Sequence, residues 1–197
     1  MNKIIRNTLI LTAITLVSGL LLGFVHELTA APIAEQEALA KAKAYADVFP
    51  EAESFNEIED VSEVAAYIAE QGYTSQVINE VAQACDASGN VIGHVINITT
   101  PEGYGGNIQM TVGIRNDMTM LGISFLSISE TAGLGMNANT DTWKAQFSGI
   151  QAEEIIYTKS GKSAPNEIDA VSSATITTKA VTGAVNAALC AAGHYSE

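Results

Sequence analysis

Hydroxyl side chains are concentrated in one short stretch near the C-terminal end of the chain. Five of them fall within seven residues, at Ser172, Ser173, Thr175, Thr177 and Thr178. An alanine-rich segment typical of a helix follows, so the stretch lies where a helix begins. Its simplest interpretation is a helix N-cap, but a cap requires only one hydroxyl. Because a helix start also offers unpaired backbone N–H groups, the cluster favours a site for a phosphate group.

The net charge of the chain bears on this interpretation. The 197 residues include 22 acidic and 9 basic ones, which give a net charge of −13. Residues 1–25 contain Lys3 and Arg6 and no acidic residue, so the remainder has 7 basic and 22 acidic residues and a net charge of −15. A phosphate in so acidic a domain needs local donors. The same acidity argues against nucleic acid as a partner, because phosphate backbones are bound by Lys and Arg.

Cysteine and histidine are too few and too dispersed to predict a metal site. The chain has 2 Cys and 3 His, and His26, His94 and His194 lie far apart. A zinc ribbon or a cysteine-ligated iron–sulfur cluster needs more ligands than these. We interpret His94, within a predicted strand, as structural. Cys85 and Cys190 have two interpretations that the sequence leaves open, a disulfide or two buried thiols.

The hydroxyl cluster resembles a known motif. Residues 169–178 read Asp-Ala-Val-Ser-Ser-Ala-Thr-Ile-Thr-Thr, which is similar to the flavinylation motif of covalent FMN-binding domains. In that family the last Thr of a Ser/Thr-Gly/Ser-Ala-Thr core is esterified to the FMN phosphate, and that position is Thr175 here. Ser173 stands where the family most often has Gly. The other motif residues that the resemblance places at the cofactor are Ser172, Ser173, Ala174, Thr177 and Thr178.

Two glycine-containing segments support the resemblance. Residues 130–135, Glu-Thr-Ala-Gly-Leu-Gly, are similar to the family's Glu-Thr-x-Gly-Leu-Gly loop, and residues 103–106, Gly-Tyr-Gly-Gly, also match. The resemblance implies that the flavin ring lies against these loops, with Leu134 on its face and Glu130 and Thr131 at its polar edge. The further cofactor-binding residues that it implies are Glu130, Thr131, Gly133, Leu134, Gly135 and Tyr104.

The elements that would position these segments are predicted from β-rich runs in the middle of the chain. Four such runs are separated by short turns at residues 86–89 and 116–117 and by a glycine-rich loop at residues 101–106. Consecutive strands with short turns form antiparallel sheets, so we predict an α+β fold. A dinucleotide-binding fingerprint in residues 133–138 would require a parallel βαβ unit and is rejected. The predicted strands are residues 75–85, 90–99, 107–115 and 118–127.

Helices are predicted to flank this sheet. The C-terminal one begins after the hydroxyl cluster and ends at Gly193. Pro32 is predicted to start a stalk helix that ends at Phe49 before Pro50. The acidic residues 51–63 are predicted to be irregular. The predicted helices are residues 33–48, 61–71, 139–147 and 177–192.

The N-terminal segment predicts a membrane anchor. Residues 7–25 contain no charge and would span about 28 Å as a helix, close to the thickness of a bilayer core. Lys3 and Arg6 precede the span, so the N-terminus is predicted to be cytoplasmic and the rest extracytoplasmic. The alternative is a cleaved signal peptide, although the apolar run is longer than is typical of one. The predicted organisation is a cytoplasmic N-terminus (1–6), a transmembrane helix (7–25), a stalk (26–50) and an extracytoplasmic domain (51–197).

One face of the predicted span carries small or hydroxylic residues. They are Thr8, Thr12, Thr15, Gly19 and Gly23, and the two glycines form a GxxxG motif. Such a face allows another helix to pack closely, although single anchors also contain small residues. The span has no ionisable residue between Arg6 and His26, so we do not predict an ion path within it.

Taken over the whole chain, the resemblance is closest to the G subunits of Rnf electron-transport complexes. The chain resembles less closely the C subunits of sodium-pumping NADH:quinone oxidoreductases, which are generally longer. The resemblance implies an electron carrier within a membrane ion-translocating ferredoxin:NAD oxidoreductase rather than a stand-alone enzyme. The implied partners are other membrane subunits, lipid and a flavin transferase that attaches FMN from FAD. Two alternatives remain, an FMN-binding subunit of another membrane reductase and a cofactor-free, membrane-tethered scaffold.

Overall fold

The computed structural model describes residues 2–195 and divides into an N-terminal unit that ends at Lys41 and a larger unit that begins at Ala42. The helices are α1 (Lys3–Val48), α2 (Ser62–Glu70), α3 (Asp141–Lys144) and α4 (Thr175–His194). The strands are β1 (Ser54–Glu57), β2 (Val77–Cys85), β3 (Val91–Gly103), β4 (Gly106–Arg115), β5 (Met120–Ser127), β6 (Ile156–Thr158) and β7 (Glu167–Asp169).

The N-terminal unit consists of helix α1 up to Lys41. It is long and apolar enough to cross a membrane, and its large apolar side chains there are exposed. The sequence predicted a separate helix starting at Pro32, but Pro32 lies inside α1. A single proline removes one backbone donor, and the helix-favouring alanines on either side keep the helix continuous.

The larger unit is built on an antiparallel sheet in the order β1-β2-β3-β4-β5, which confirms the predicted α+β fold. All four predicted strands are present. The sequence missed β1, which lies in the acidic segment predicted to be irregular. This strand of four residues pairs along β2, from Ser54 opposite Cys85 to Glu57 opposite Ala82. Its extended form therefore comes from the neighbouring strand rather than from an apolar pattern of its own.

Both faces of the sheet are covered. Ile96 and Ile98 of β3 face the helix α4, whereas Val95 packs on the other face with Val48 and Phe49, at the end of α1. This is why residues 93–98 of β3 are all buried, including His94 and Asn97, instead of alternating between buried and exposed. Glycine permits the close approach on the second face, since a Cβ at position 113 would lie 2.2 Å from the carbonyl oxygen of Val48.

The glycine-rich segment predicted as a loop is a tight hairpin. Strand β3 continues to Gly103 and β4 starts at Gly106, and these two residues face each other in the register. Gly106 has a φ of +114°, which L side chains rarely adopt. A Cβ at Gly103 would lie 2.3 Å from the carbonyl oxygen of Gly106. The glycines therefore close the turn and place Tyr104 at its tip.

The region predicted as one helix over residues 139–147 is broken. The short helix α3 lies between two 3₁₀ turns, Gly135–Asn139 and Ala145–Phe147. Trp143 is buried in it, packs edge-on against Phe147, and donates its Nε1–H to the carbonyl oxygen of Asp169 at 2.8 Å. Asp169 ends β7, which pairs in parallel with β6. This segment thus anchors the chain just before the hydroxyl cluster.

The two cysteines are free thiols on separate elements. Cys85 is buried at the end of β2 and Cys190 lies half-buried on α4, where burial raises the pKa of its thiol. Of the two interpretations that the sequence left open, the structure shows the thiols. His94 is buried on β3 and stacks on Tyr195 with a ring separation of 5.2 Å, in agreement with a structural role.

Candidate functional site

One cleft of about 440 Å³ brings together the segments that the sequence singled out. It lies where the β3–β4 hairpin, the loop after β5 and the start of α4 meet. Its volume is within the range of pockets for small ligands. The residues that line it are Tyr104, Glu130, Thr131, Leu134, Gly135, Ser173, Ala174, Thr175, Ile176 and Thr177.

Thr175 is the first residue of α4 and is partly exposed. The first helical bond runs from the N–H of Thr178 to the carbonyl oxygen of Ala174 at 3.0 Å. The N–H groups of the preceding turn therefore have no acceptor within the helix. The N-cap residue is Ala174, and no side chain caps it. The interpretation of the cluster as a hydroxyl N-cap is therefore wrong, and the helix start retains donors for an anion.

Ser173 adopts a backbone conformation that suits glycine. Its φ is +58°, in the left-handed region, which costs an L residue about 1–2 kcal/mol. The sequence resemblance has Gly most often at this position. A positive φ at this position gives a physical reason for that preference, because glycine adopts it without this cost.

Two of the predicted motif residues lie outside the lining of the cleft. Thr178 is buried, and its Oγ1 accepts the N–H of Val171 at 3.0 Å and donates to the carbonyl oxygen of Ala174 at 2.9 Å. It therefore holds the turn that leads into α4. Ser172 is exposed beside this turn and borders a smaller depression of about 240 Å³, which Lys159 and Thr175 also line.

Glu130 is the central residue of the site. Its side chain is only 8% exposed. The N–H of Gly105 donates to Oε1 at 3.1 Å, and the Oγ1 hydroxyl of Thr177 donates to Oε2 at 3.0 Å. One carboxylate therefore joins the hairpin, the loop after β5 and the helix α4.

The two glycines of the loop have different functions. Gly133 has a φ of +76° and open space around it, so it is required by its backbone conformation. Gly135 is required by packing, because a Cβ there would lie 2.6 Å from both Glu130 Oε2 and Thr177 Oγ1. The loop follows the antiparallel strand β5, which confirms the rejection of a dinucleotide fingerprint.

The cleft has an apolar side and a polar end. Tyr104, Leu134 and Ile176 are 71%, 42% and 53% exposed at its walls, and the N-terminus of α4 with its hydroxyls forms the polar end. No Lys or Arg lines it in the part of the chain that the structure describes. A flat, largely apolar ring with an anionic tail fits this arrangement. Sequence reasoning missed Ile176, whose signal was its place directly after Thr175 at the start of a helix.

The chain is similar in sequence to known proteins over almost its full length. Residues 103–190 match the family of FMN-binding domains, and residues 1–48 match the N-terminal region of RnfG proteins. The chain is 32% identical over 182 residues to the G subunit of the Na⁺-translocating ferredoxin:NAD⁺ oxidoreductase complex of Acetobacterium woodii, covering 90% of this chain and 86% of that one. It belongs to the RnfG family. The resemblance inferred from the motifs is therefore confirmed.

Other members of the RnfG family are similarly matched along their length. The G subunit of the proton-translocating complex of Clostridium ljungdahlii is 28% identical over 188 residues, covering 95% of this chain and 91% of that one. Among solved structures, the C subunit of the Na⁺-translocating NADH-quinone reductase of Parabacteroides distasonis aligns with a TM-score of 0.51 at 17% identity. The alignment covers 74% of this chain and 78% of that one, and shows a common fold.

Proposed function

We propose that this chain is the electron-transfer flavoprotein subunit of a membrane ion-translocating ferredoxin:NAD oxidoreductase complex. FMN would occupy the cleft at α4, bound through a phosphoester to Thr175. The observation that carries the proposal is the meeting of Thr175, at an uncapped helix start, with the loop of residues 130–135 in one cleft. These segments lie at least 40 residues apart in the chain.

The polar end of the cleft offers neutral donors to a phosphate, and Lys159 borders an adjoining depression that Ser173 and Thr175 also line. The unpaired N–H groups at the start of α4 and the hydroxyls around Thr175 supply neutral donors. Esterification would leave the phosphate with about one negative charge, where a free monoester carries about two at neutral pH. In a domain of net charge −15, the smaller charge is the easier one to hold.

The remaining lining residues have proposed roles that follow from their positions. Leu134 and Ile176 would pack on the ring, and Tyr104 stands at the mouth of the cleft. Glu130, Thr131, Ser173, Ala174 and Thr177 would border the polar part of the cofactor. Ser172 and Thr178 shape the turn before the helix. When bound, FMN supplies the redox chemistry, and the chain attaches, orients and shields it.

Maturation would need a second protein. A threonine hydroxyl is a poor nucleophile unless a base activates it. In the described lining, Glu130 is the only carboxylate, and its two oxygens already accept bonds from Gly105 and Thr177. We therefore propose that a flavin transferase joins the Thr175 hydroxyl oxygen to the FMN phosphorus of FAD, which breaks the pyrophosphate bond, releases AMP and frees the hydroxyl proton.

Helix α1 would anchor the protein in the membrane. Its apolar residues are exposed as they would be to lipid, and Lys3 and Arg6 precede them. By the positive-inside rule, the N-terminus is cytoplasmic and the FMN-binding domain extracytoplasmic. Other membrane subunits of the complex would be the electron partners.

Covalent attachment is tested by producing the full chain together with a flavin transferase. Denaturing electrophoresis under ultraviolet light should show a fluorescent band for the wild type and none for Thr175→Ala. Thr182→Val is the matched control, because Thr182 lies on the same helix and bonds only the carbonyl oxygen of Thr178. A fluorescent band for Thr175→Ala would show that the flavin is attached at a residue other than Thr175. A wild type that takes up no flavin from an active transferase would overturn the proposed function and favour a scaffold.

A further inference from the structure

Glu130 lies in the wall of the cleft without a charged partner. In the described part of the chain, no ion pair involves it. Moving a carboxylate out of water costs free energy unless hydrogen bonds replace the lost hydration. The bonds from the N–H of Gly105 and the hydroxyl of Thr177 supply that replacement at two different segments. The hydrogen bonds that stabilise the buried carboxylate therefore also connect the β3–β4 hairpin and α4 to the loop after β5.

Two neighbouring glycines leave space for this carboxylate because they lack a Cβ. A Cβ at Gly135 would lie 2.6 Å from Oε2, and one at Gly103 would lie 2.8 Å from Oε1. Both distances are too short for a real contact. Two glycines from different segments thus leave room for one side chain, which shows that the backbone closes around Glu130 and its hydrogen bonds.

Thr177 connects the carboxylate to the site of attachment. It is 1% exposed and lies in the first turn of α4, two residues after Thr175. At 1.5 Å per residue, the two lie about 3 Å apart along the helix axis. The first turn is the least constrained part of a helix, because its N–H groups lack helical partners. The bond from Thr177 to Glu130 fixes that turn against the loop.

We propose that Glu130 is a positioning residue for flavin attachment, acting through Thr177 to hold the start of α4 where the Thr175 hydroxyl meets the transferase. This inference rests on the proposed function. It assigns to the loop of residues 130–135 a mechanical role that is separate from contact with the flavin ring. It predicts that breaking the Glu130–Thr177 bond slows attachment even though Thr175 is intact.

The test measures the steady-state rate of FMN transfer from FAD to the full chain, with the chain as the varied substrate. Thr177→Val removes the donor at constant size, and Gly135→Ala places a methyl group between the two oxygens. Each should lower kcat by about 10- to 100-fold, because a displacement of about 1 Å can cost about 100-fold in rate. KM should not change, since the binding surface for the transferase is intact.

Three comparisons separate positioning from general damage. Thr177→Ser restores the hydroxyl and should recover the rate, and Thr182→Val, on the same helix outside the site, should match the wild type. Glu130→Ala combined with Thr177→Val should be no slower than Glu130→Ala alone, because Glu130→Ala already removes the Glu130–Thr177 bond that Thr177→Val breaks. Thermal unfolding identifies a variant that fails to fold. If Thr177→Val does not fold, the rate of Gly135→Ala serves as the test, and the reverse.

The outcomes distinguish this inference from the proposed function. If the wild type is labelled at Thr175 and the folded variants react with wild-type kcat, or if the double variant shows additive losses, the positioning role is overturned and the proposed function stands. If the wild type is not labelled at all, both fall together.

Discussion

At the scale of single residues, the hydroxyl cluster divides into different tasks. Thr178 closes the turn before α4 and Thr177 bonds Glu130, so both hydroxyls act within the protein. Thr175 lies at the start of the helix and belongs to the cleft lining. The sequence marks all of these residues as alike, because they share a chemical type. Their different tasks follow from where each residue lies relative to the first residue of α4.

Burial of His94 makes the stability of the domain depend on pH. Burial lowers the pKa of the His94 imidazole from its ordinary value near 6.5, so the folded domain binds a proton there less readily than the unfolded chain does. As the pH falls below about 6.5, the unfolded chain binds a proton there that the folded domain does not, and the free energy of unfolding decreases. Above that pH the contribution is constant.

We therefore expect His94→Phe, which keeps a ring against Tyr195, to flatten the pH dependence of stability. Urea unfolding at several pH values between about 5 and 8 measures it. The wild type should lose more stability than the variant as the pH falls from about 7 to about 5. Equal losses in the two proteins would show that His94 does not carry this dependence.

At the scale of elements, the site depends on how α4 packs on the sheet. The helix buries a series of alanines, including Ala180, Ala184 and Ala188, against the large side chains of β3 and β4. Small residues on the helix and large ones on the sheet allow the two to approach closely. This interface fixes the height and direction of α4, and with it the place where Thr175 begins the helix.

Truncation on this interface should destabilise the whole domain. Ile98 of β3 is fully buried, and Ile98→Ala should lower the free energy of unfolding by about 2–5 kcal/mol. Val77 of β2 is 55% exposed, and Val77→Ala should change it by only about 0.5 kcal/mol. Urea denaturation of the two variants measures the difference. Similar losses for both would mean that packing against α4 does not dominate the stability.

At the scale of the whole molecule, one chain combines an apolar helix with a strongly acidic domain. The positive mean hydropathy of +0.19 and the net charge of −13 are averages over these two parts. The helix requires lipid, whereas the domain with net charge −15 is suited to water. A membrane protein with its domain on one side follows from this separation.

The side on which the domain lies is open to direct measurement. In a chain lacking its own thiols through Cys85→Ala and Cys190→Ala, Glu37→Cys should react with a membrane-impermeant maleimide added to intact spheroplasts. Asn2→Cys should react only after the membrane is permeabilised. The reverse pattern would place the domain in the cytoplasm. A mature chain that lacks residues 1–25 in its mass spectrum would instead show a cleaved signal peptide.

The sequence by itself determined the elements whose signals are local. β-rich runs separated by short turns indicated the four central strands, and a stretch of alanines ending at a glycine indicated α4. The motif residues were found because residues 169–178 resemble the flavinylation motif of covalent FMN-binding domains. Those signals depend on neighbours along the chain, so they can be read without the fold.

Only the tertiary structure decided how those pieces meet. Strand β1 forms because β2 offers it an edge, and α1 continues through Pro32 because its other residues favour a helix. The contact of Glu130 with Thr177 joins residues 47 positions apart and depends on Gly135, because a Cβ at that position would collide with both side chains. Spacing in the sequence does not encode such distances, because they are set by the packing of α4 on the sheet. The sequence therefore indicated most of the residues that line the cleft, whereas Ile176 and the geometry of the cleft came only from the structure.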